Sequence, residues 1–126
     1  MALPGTNQEQ INSILTLFTN GRFQKALDLI EKLLLDFPNE AILFNIQGAC
    51  HAELGALDIA IKSYEHAISI NQNYSKAWNN AGYALHKLGK SEDGLEYVEK
   101  ALELDPTDPD ALDSKREILR ALGKTD

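Results

Sequence analysis

Glycine stands at positions 21, 55, 89 and 123, so four of them share one interval of 34 residues. A fixed period of that length marks a stack of repeated units, none of which can bury its apolar surface alone. Other columns keep the same register. Ala26, Ala60 and Gly94 are small; Phe44, Trp78 and Leu112 are bulky; Gly48 aligns with Gly82, Ala67 with Ala101, and Pro38 with Pro106. Ile30, Tyr64 and Val98 share a further apolar column, as do Leu34, Ile68 and Leu102. Within a unit the apolar residues recur at helical spacing, as in Trp78, Ala81, Gly82, Leu85 and Leu88, then Leu95, Val98, Ala101 and Leu102. Each unit therefore reads as a helical hairpin. Asn20-Gly21, Leu54-Gly55 and Leu88-Gly89 end first helices, because glycine enters the left-handed conformation of a C-terminal cap without steric penalty. Ser91 stands where it could cap the next helix, and Pro38 and Pro106 stop second helices. The spacing predicts helices near 7–20, 23–36, 40–54, 57–70, 74–88, 91–104 and 109–122, and no strand.

Composition narrows the class. At 126 residues, 44% hydrophobic and 25% charged, the chain suits one globular unit and is too apolar for disorder. Its single cysteine, Cys50, excludes an intrachain disulfide framework and lies among apolar neighbours, as an inert buried thiol would. A reducing cytoplasmic setting fits it. The N-terminal stretch has neither a basic start nor a long apolar core, and no later run approaches the ~20 apolar residues of a spanning helix, so the expectation is a soluble protein away from membranes. A net charge of −7 argues against a phosphate-backbone partner, which needs clustered Lys and Arg. The excess is uneven: residues 89–113 hold nine acids against two bases, and residues 1–88 hold eight against six.

The stretches "AWNNAGYALHKLGKSEDGLEYVEKALELDP" (77–106) and "LFNIQGACHAELGALDIAIKSYEHAISIN" (43–71) resemble tetratricopeptide repeats, with a bulky residue, a Leu-Gly pair, an alanine early in the second helix and, in the former, a closing proline. The resemblance covers about residues 7–122. It implies an all-α fold, a right-handed superhelical array of three hairpins (about 7–40, 41–74 and 75–108) with a capping helix at 109–122, forming one domain over 7–126 after a tail at 1–6. The first unit departs from the pattern, with Ile14 and Leu33 in columns that are small later. In the last helix Lys115 and Arg116 replace the column of Ala81 and Gly82, as a solvating cap would.

Function has to come from the face the core leaves free. On the first helix of the third unit a stripe carries Lys76, Asn79, Asn80, Tyr83, His86 and Lys87, and Asn45 occupies the column of Asn79 one unit earlier. In the family this surface lines the concave groove, so these residues are the expected peptide contacts. Asparagine amides offer a donor and an acceptor to any main chain, and Tyr83 adds apolar area with a polar tip. In the first unit the same stripe is apolar, with Ile11, Leu15 and Phe18, and Ile42 continues it into the second; it is expected off the core, as a ligand surface or a homodimer interface. Family members that grip carboxylate-terminated chaperone tails resemble a clamp of Lys and Asn residues and one Arg. Those columns here hold Ile11, Leu15, Ile46, Lys76 and Asn80; only Lys76 matches, and the expectation is that such tails are not the ligand. The groove should instead run from apolar at its first end to acidic at Asp110, Asp113 and Glu117, suiting a ligand with an apolar anchor and a basic segment.

Catalysis finds no support. His51, His66 and His86 lie on different stripes, no helical pair of metal ligands appears, and the glycines are explained by turns and packing. No catalytic residue, metal or cofactor is expected. The leading reading is a scaffold or adaptor binding a protein or peptide. The alternatives are an accessory segment of a larger bacterial enzyme such as a transferase, and a self-associating scaffold.

Overall fold

The computed structural model describes residues 6–124, over which it places seven helices: α1 Gln8–Thr19, α2 Phe23–Asp36, α3 Ala41–Glu53, α4 Leu57–Ile70, α5 Ser75–Lys87, α6 Ser91–Leu104 and α7 Pro109–Ala121. Each bound lies within one residue of the sequence expectation, and the described residues contain no strand. Of the expected tail, all but Thr6 lies outside the described residues.

The four glycines of the 34-residue period carry φ of 76°, 84°, 88° and 70°. After each, the next amide donates to a carbonyl five residues back: Arg22 to Leu17, Ala56 to His51, Lys90 to Leu85 and Lys124 to Leu119, at 2.8–2.9 Å. This is the paired-bond helix ending that a left-handed residue permits. It turns α1, α3 and α5 into the following helix within three residues each, which explains why the three hairpins share one turn geometry. Ser91 does not cap α6. Lys90 is the N-cap and bonds nothing with its side chain, while Ser91 lies inside the helix with its hydroxyl 2.8 Å from His86 Nδ1. Side-chain caps occur at α1, where Asn7 and Gln10 form a reciprocal box, and at α7, where Asp108 accepts from the Asp110 amide.

Consecutive helices pack in chain order, and α5 also touches α3 and α7, so these three odd helices form a continuous layer. The core changes character along the stack. At the first end Ile14, Ile30, Leu43 and Cys50 are fully buried among long aliphatic side chains. Farther on, Ala60, Ala67, Ala77 and Ala81 are buried beside Tyr64, with Phe44, Trp78 and Tyr97 packed at the margin. The small residues draw the helices together. A Cβ at Gly48 would lie 2.5 Å from Tyr64 Cε1, and one at Gly82 would lie 2.7 Å from the carbonyl oxygen of Gly94.

The structure corrects the apolar stripe of α1. Ile11 is 6% exposed and belongs to the first core, not to a free face. Phe18 and Ile42 are half-buried against that core, Phe18 meeting Phe23 edge-on at 5.3 Å, and Leu15 alone of the four is exposed. Leu112, despite its column, is also exposed, because no further element within the described residues packs on α7 there.

Candidate functional site

The odd helices leave a groove with two connected pockets. The first, of about 380 Å³, is walled by Phe18 of α1, Ala49 and Ala52 of α3, and Asn80, Tyr83 and Lys87 of α5. The second, of about 250 Å³, lies between α5 and α7, with Asn79, Asn80 and Tyr83 on one wall and Asp110, Asp113 and Glu117 on the other. Asn80 and Tyr83 belong to both, so the two pockets adjoin along α5: the first combines the apolar surface of Phe18, Ala49, Ala52 and Leu57 with the charges of Glu53 and Lys87, and the second is acidic on its α7 side.

Hydrogen bonds fix most of the polar side chains along it. Asn80 Nδ2 donates to Asn45 Oδ1 at 3.0 Å, and Asn45 Nδ2 donates to Tyr74 Oη at 3.2 Å, tying α5 to α3. Burial pushes the Tyr74 phenol up, so it stays a neutral partner. Tyr83 Oη donates to Glu117 Oε1 at 3.3 Å, and His86 Nε2 lies 3.2 Å from Glu117 Oε2. Lys87 Nζ is 3.6 Å from the same carboxylate and 5.2 Å above the Tyr83 ring. Contact with Tyr83, then the charge of Glu117, holds the Lys87 ammonium above the usual lysine range. Lys76 is committed to α7, with Nζ 3.2 Å from Asp108 Oδ1 and 4.0 Å from Asp110 Oδ2.

Of the expected contacts, Asn80, Tyr83 and Lys87 therefore line the groove; Asn45 supports Asn80 from behind; Lys76 and His86 brace α5 against α7. Asn79 departs from expectation. It is only 5% exposed, its Oδ1 has no hydrogen-bond partner, and it reaches the groove only as part of the second pocket. Ala49, Ala52 and Glu53 line the first pocket from the columns of Tyr83, His86 and Lys87 one unit earlier, where the repeat places the same face, whereas Leu57 and Tyr64, which also line it, were missing from the expected contacts because they stand on α4, outside the stripe of the odd helices. Of the five clamp columns, Ile11 and Ile46 are core residues, Leu15 is apolar, and Lys76 and Asn80 are engaged internally.

Elsewhere the Cys50 thiol is fully buried, and desolvation, reinforced by the charge of Glu53, pushes it up to about 11. Among the described residues no three His, Cys, Asp or Glu side chains converge as metal ligands, and no helix is long and apolar enough to cross a membrane.

A family model described as tetratricopeptide repeat matches residues 75–108, and one described as TPR repeat matches residues 50–89. Small glutamine-rich tetratricopeptide repeat-containing protein 2 of Saccharomyces cerevisiae is 30% identical over 86 residues, covering 68% of this chain and 25% of that protein. Protein O-mannosyl-transferase TMTC1 of Homo sapiens is 37% identical over 86 residues, covering 65% of this chain and 10% of that protein. The chain thus spans a quarter or less of the length of these two relatives. Among solved structures, the first TPR of Spaghetti (RPAP3) bound to the HSP90 peptide SRMEEVD superimposes with a TM-score of 0.84 at 24% identity, over 97% of this chain and 99% of that one.

Proposed function

Because this chain belongs to the tetratricopeptide repeat family, we propose that it is a protein-interaction module that holds a peptide segment of a partner along the groove of its odd helices. The observation that carries the reading is the adjacency of the two pockets, which share Asn80 and Tyr83: one offers apolar surface with Glu53 and Lys87 at its edge, and the other is polar and acidic. An extended segment would place successive side chains in the two pockets and its main chain against Asn80. The segment does no chemistry here: it is held, and the module acts as scaffold or adaptor. We read the setting as cytoplasmic, in keeping with one reduced, buried cysteine.

A second reading has its own support. The match to an O-mannosyl-transferase over a tenth of its length favours an accessory segment of a larger enzyme, binding partner or substrate while another domain catalyses. The groove would work the same way in both.

The test is a pull-down from the native source, followed by calorimetric titration of a peptide from the captured protein. Ala49→Trp, which fills the first pocket, and Tyr83→Ala with Asn80→Ala should both weaken binding while the helical circular dichroism stays unchanged. Two lost hydrogen bonds at about 0.5–1.5 kcal/mol each lower affinity by roughly 5- to 150-fold. Binding indifferent to all three substitutions would remove the ligand from the groove.

A further inference from the structure

Taking the groove reading as its premise, we propose that the pocket between α5 and α7 seats a lysine or arginine side chain of the bound segment, so that the module selects basic peptides. Three features of the pocket converge on a cationic donor.

The first is charge. Asp110, Asp113 and Glu117 form one wall. Asp110 has only Lys76, 4.0 Å away, and Asp113 pairs at 2.7 Å with Arg116 at an exposed site on the same helix, while Glu117 already meets Tyr83, His86 and Lys87, so Asp110 and Asp113 are the carboxylates with most capacity left. Exposed pairs of this kind contribute little, and each carboxylate keeps lone pairs for further donors.

The second is hydrogen-bond accounting. Asn79, nineteen-twentieths buried, lines the pocket, and its Oδ1, closed to solvent as it stands, has no hydrogen-bond partner. Asp108, the buried cap at the start of α7, keeps Oδ2 unpartnered as well, next to the pocket wall in sequence but outside its lining. Both atoms are acceptors. Buried acceptors without donors cost free energy in the unliganded protein, and the broad terminal torsion of an asparagine lets its amide turn toward an entering donor. An ammonium brings three donors and a guanidinium five, and neither accepts, so each matches the acceptors of this pocket, which it would share with Lys76, Lys87 and Arg116. A ligand carboxylate would meet the reverse: three like charges and unpaired acceptors.

The third is placement. The Tyr83 ring already attracts one cation, Lys87, and stands between the two pockets. An apolar residue in the first pocket therefore puts a neighbouring basic residue at the second, with its stem across Tyr83. The carboxylates do not gather as metal ligands, so an organic cation fits them better than an ion.

The experiment is selection of a random peptide library displayed on phage against the full chain, followed by titration of the selected peptides in labelled synthetic form. Enrichment of an apolar residue followed by Lys or Arg is expected. Replacing that basic residue by norleucine or citrulline should weaken binding at least about tenfold. Asp110→Asn with Asp113→Asn should weaken the basic peptide and leave its neutral version unaffected, a coupling that a structural defect would not produce. Asn79→Leu should reduce the preference for the basic residue while circular dichroism reports an intact array. Selected peptides that are acidic or carboxylate-terminated, and still weakened by Ala49→Trp, would overturn the cation seat and leave the groove reading standing. Peptides indifferent to Ala49→Trp and Tyr83→Ala, or a library without binders, would overturn both.

Discussion

Gly94→Ala gives the sharpest test of how the hairpins are held, because two effects of opposite sign compete and the structure decides between them. In an exposed helix the change gains about 1 kcal/mol, since alanine loses less conformational freedom than glycine. At Gly94 the new Cβ would lie 2.5 Å from the carbonyl oxygen of Gly82 and 3.1 Å from the backbone nitrogen of His86. Both are backbone atoms of α5, so no side-chain rotation relieves the contact. To restore an ordinary separation of 3.4 Å the helices must part by about 0.9 Å. Overpacking of this kind costs about 1–3 kcal/mol, and α5 and α6 form the most intimate helix pair of the array. The expected result is a net destabilisation of roughly 1–2 kcal/mol, read in urea as a lower midpoint with an unchanged slope. Gly89→Ala is the companion: nothing lies within 4 Å of its Cβ, and its φ of 88° alone should cost about 1–2 kcal/mol. A Gly94→Ala protein more stable than the parent would refute the close-packing account of the hairpin.

Three further outcomes follow from particular contacts. Asp108→Ala removes both the cap of α7 and the near partner of Lys76, and should cost about 1–2 kcal/mol in thermal or urea unfolding, with loss of α7 protection in hydrogen exchange. Burial raises Cys50 from 9.0 to about 11, so the folded state holds its proton more tightly than the unfolded chain. Its contribution is complete below about pH 9 and is lost as pH rises to about 11, and Cys50→Ala should flatten that part of the stability profile. With Ile11 in the core, Leu15 alone is too small a patch to pair two chains, so sedimentation should show a monomer unchanged by Leu15→Glu; a dimer abolished by that substitution would restore self-association through α1.

Why the helices were legible and part of the site was not comes down to what one helical period can encode. Glycine at φ above +70° or so, small residues at crossings and apolar residues every three to four positions each answer a local demand, so the turns and the hairpins can be read off the chain. Burial between odd helices is not local in that sense. Ile11, Asn45 and Asn79 share one column of the repeat, and a single-helix reading places all three on the free face. In the array that column falls at the flank where one odd helix meets the next, which buries Ile11 and Asn79 and half-buries Asn45. The chain answers that burial differently at each level. It uses an aliphatic side chain at Ile11, an amide bonded to Tyr74 and Asn80 at Asn45, and at Asn79 an amide with an unmatched acceptor. An isoleucine in that column was the available warning that the flank is not solvent. The acidic end was legible as a run of charge on residues 89–113, but a charged surface alone describes any solvated helix. What turns Asp110, Asp113 and Glu117 into one side of a pocket is the opposite wall, where Asn79 stands buried with an acceptor unanswered. That pairing spans 31 to 38 residues of chain and exists only once α7 has docked on α5.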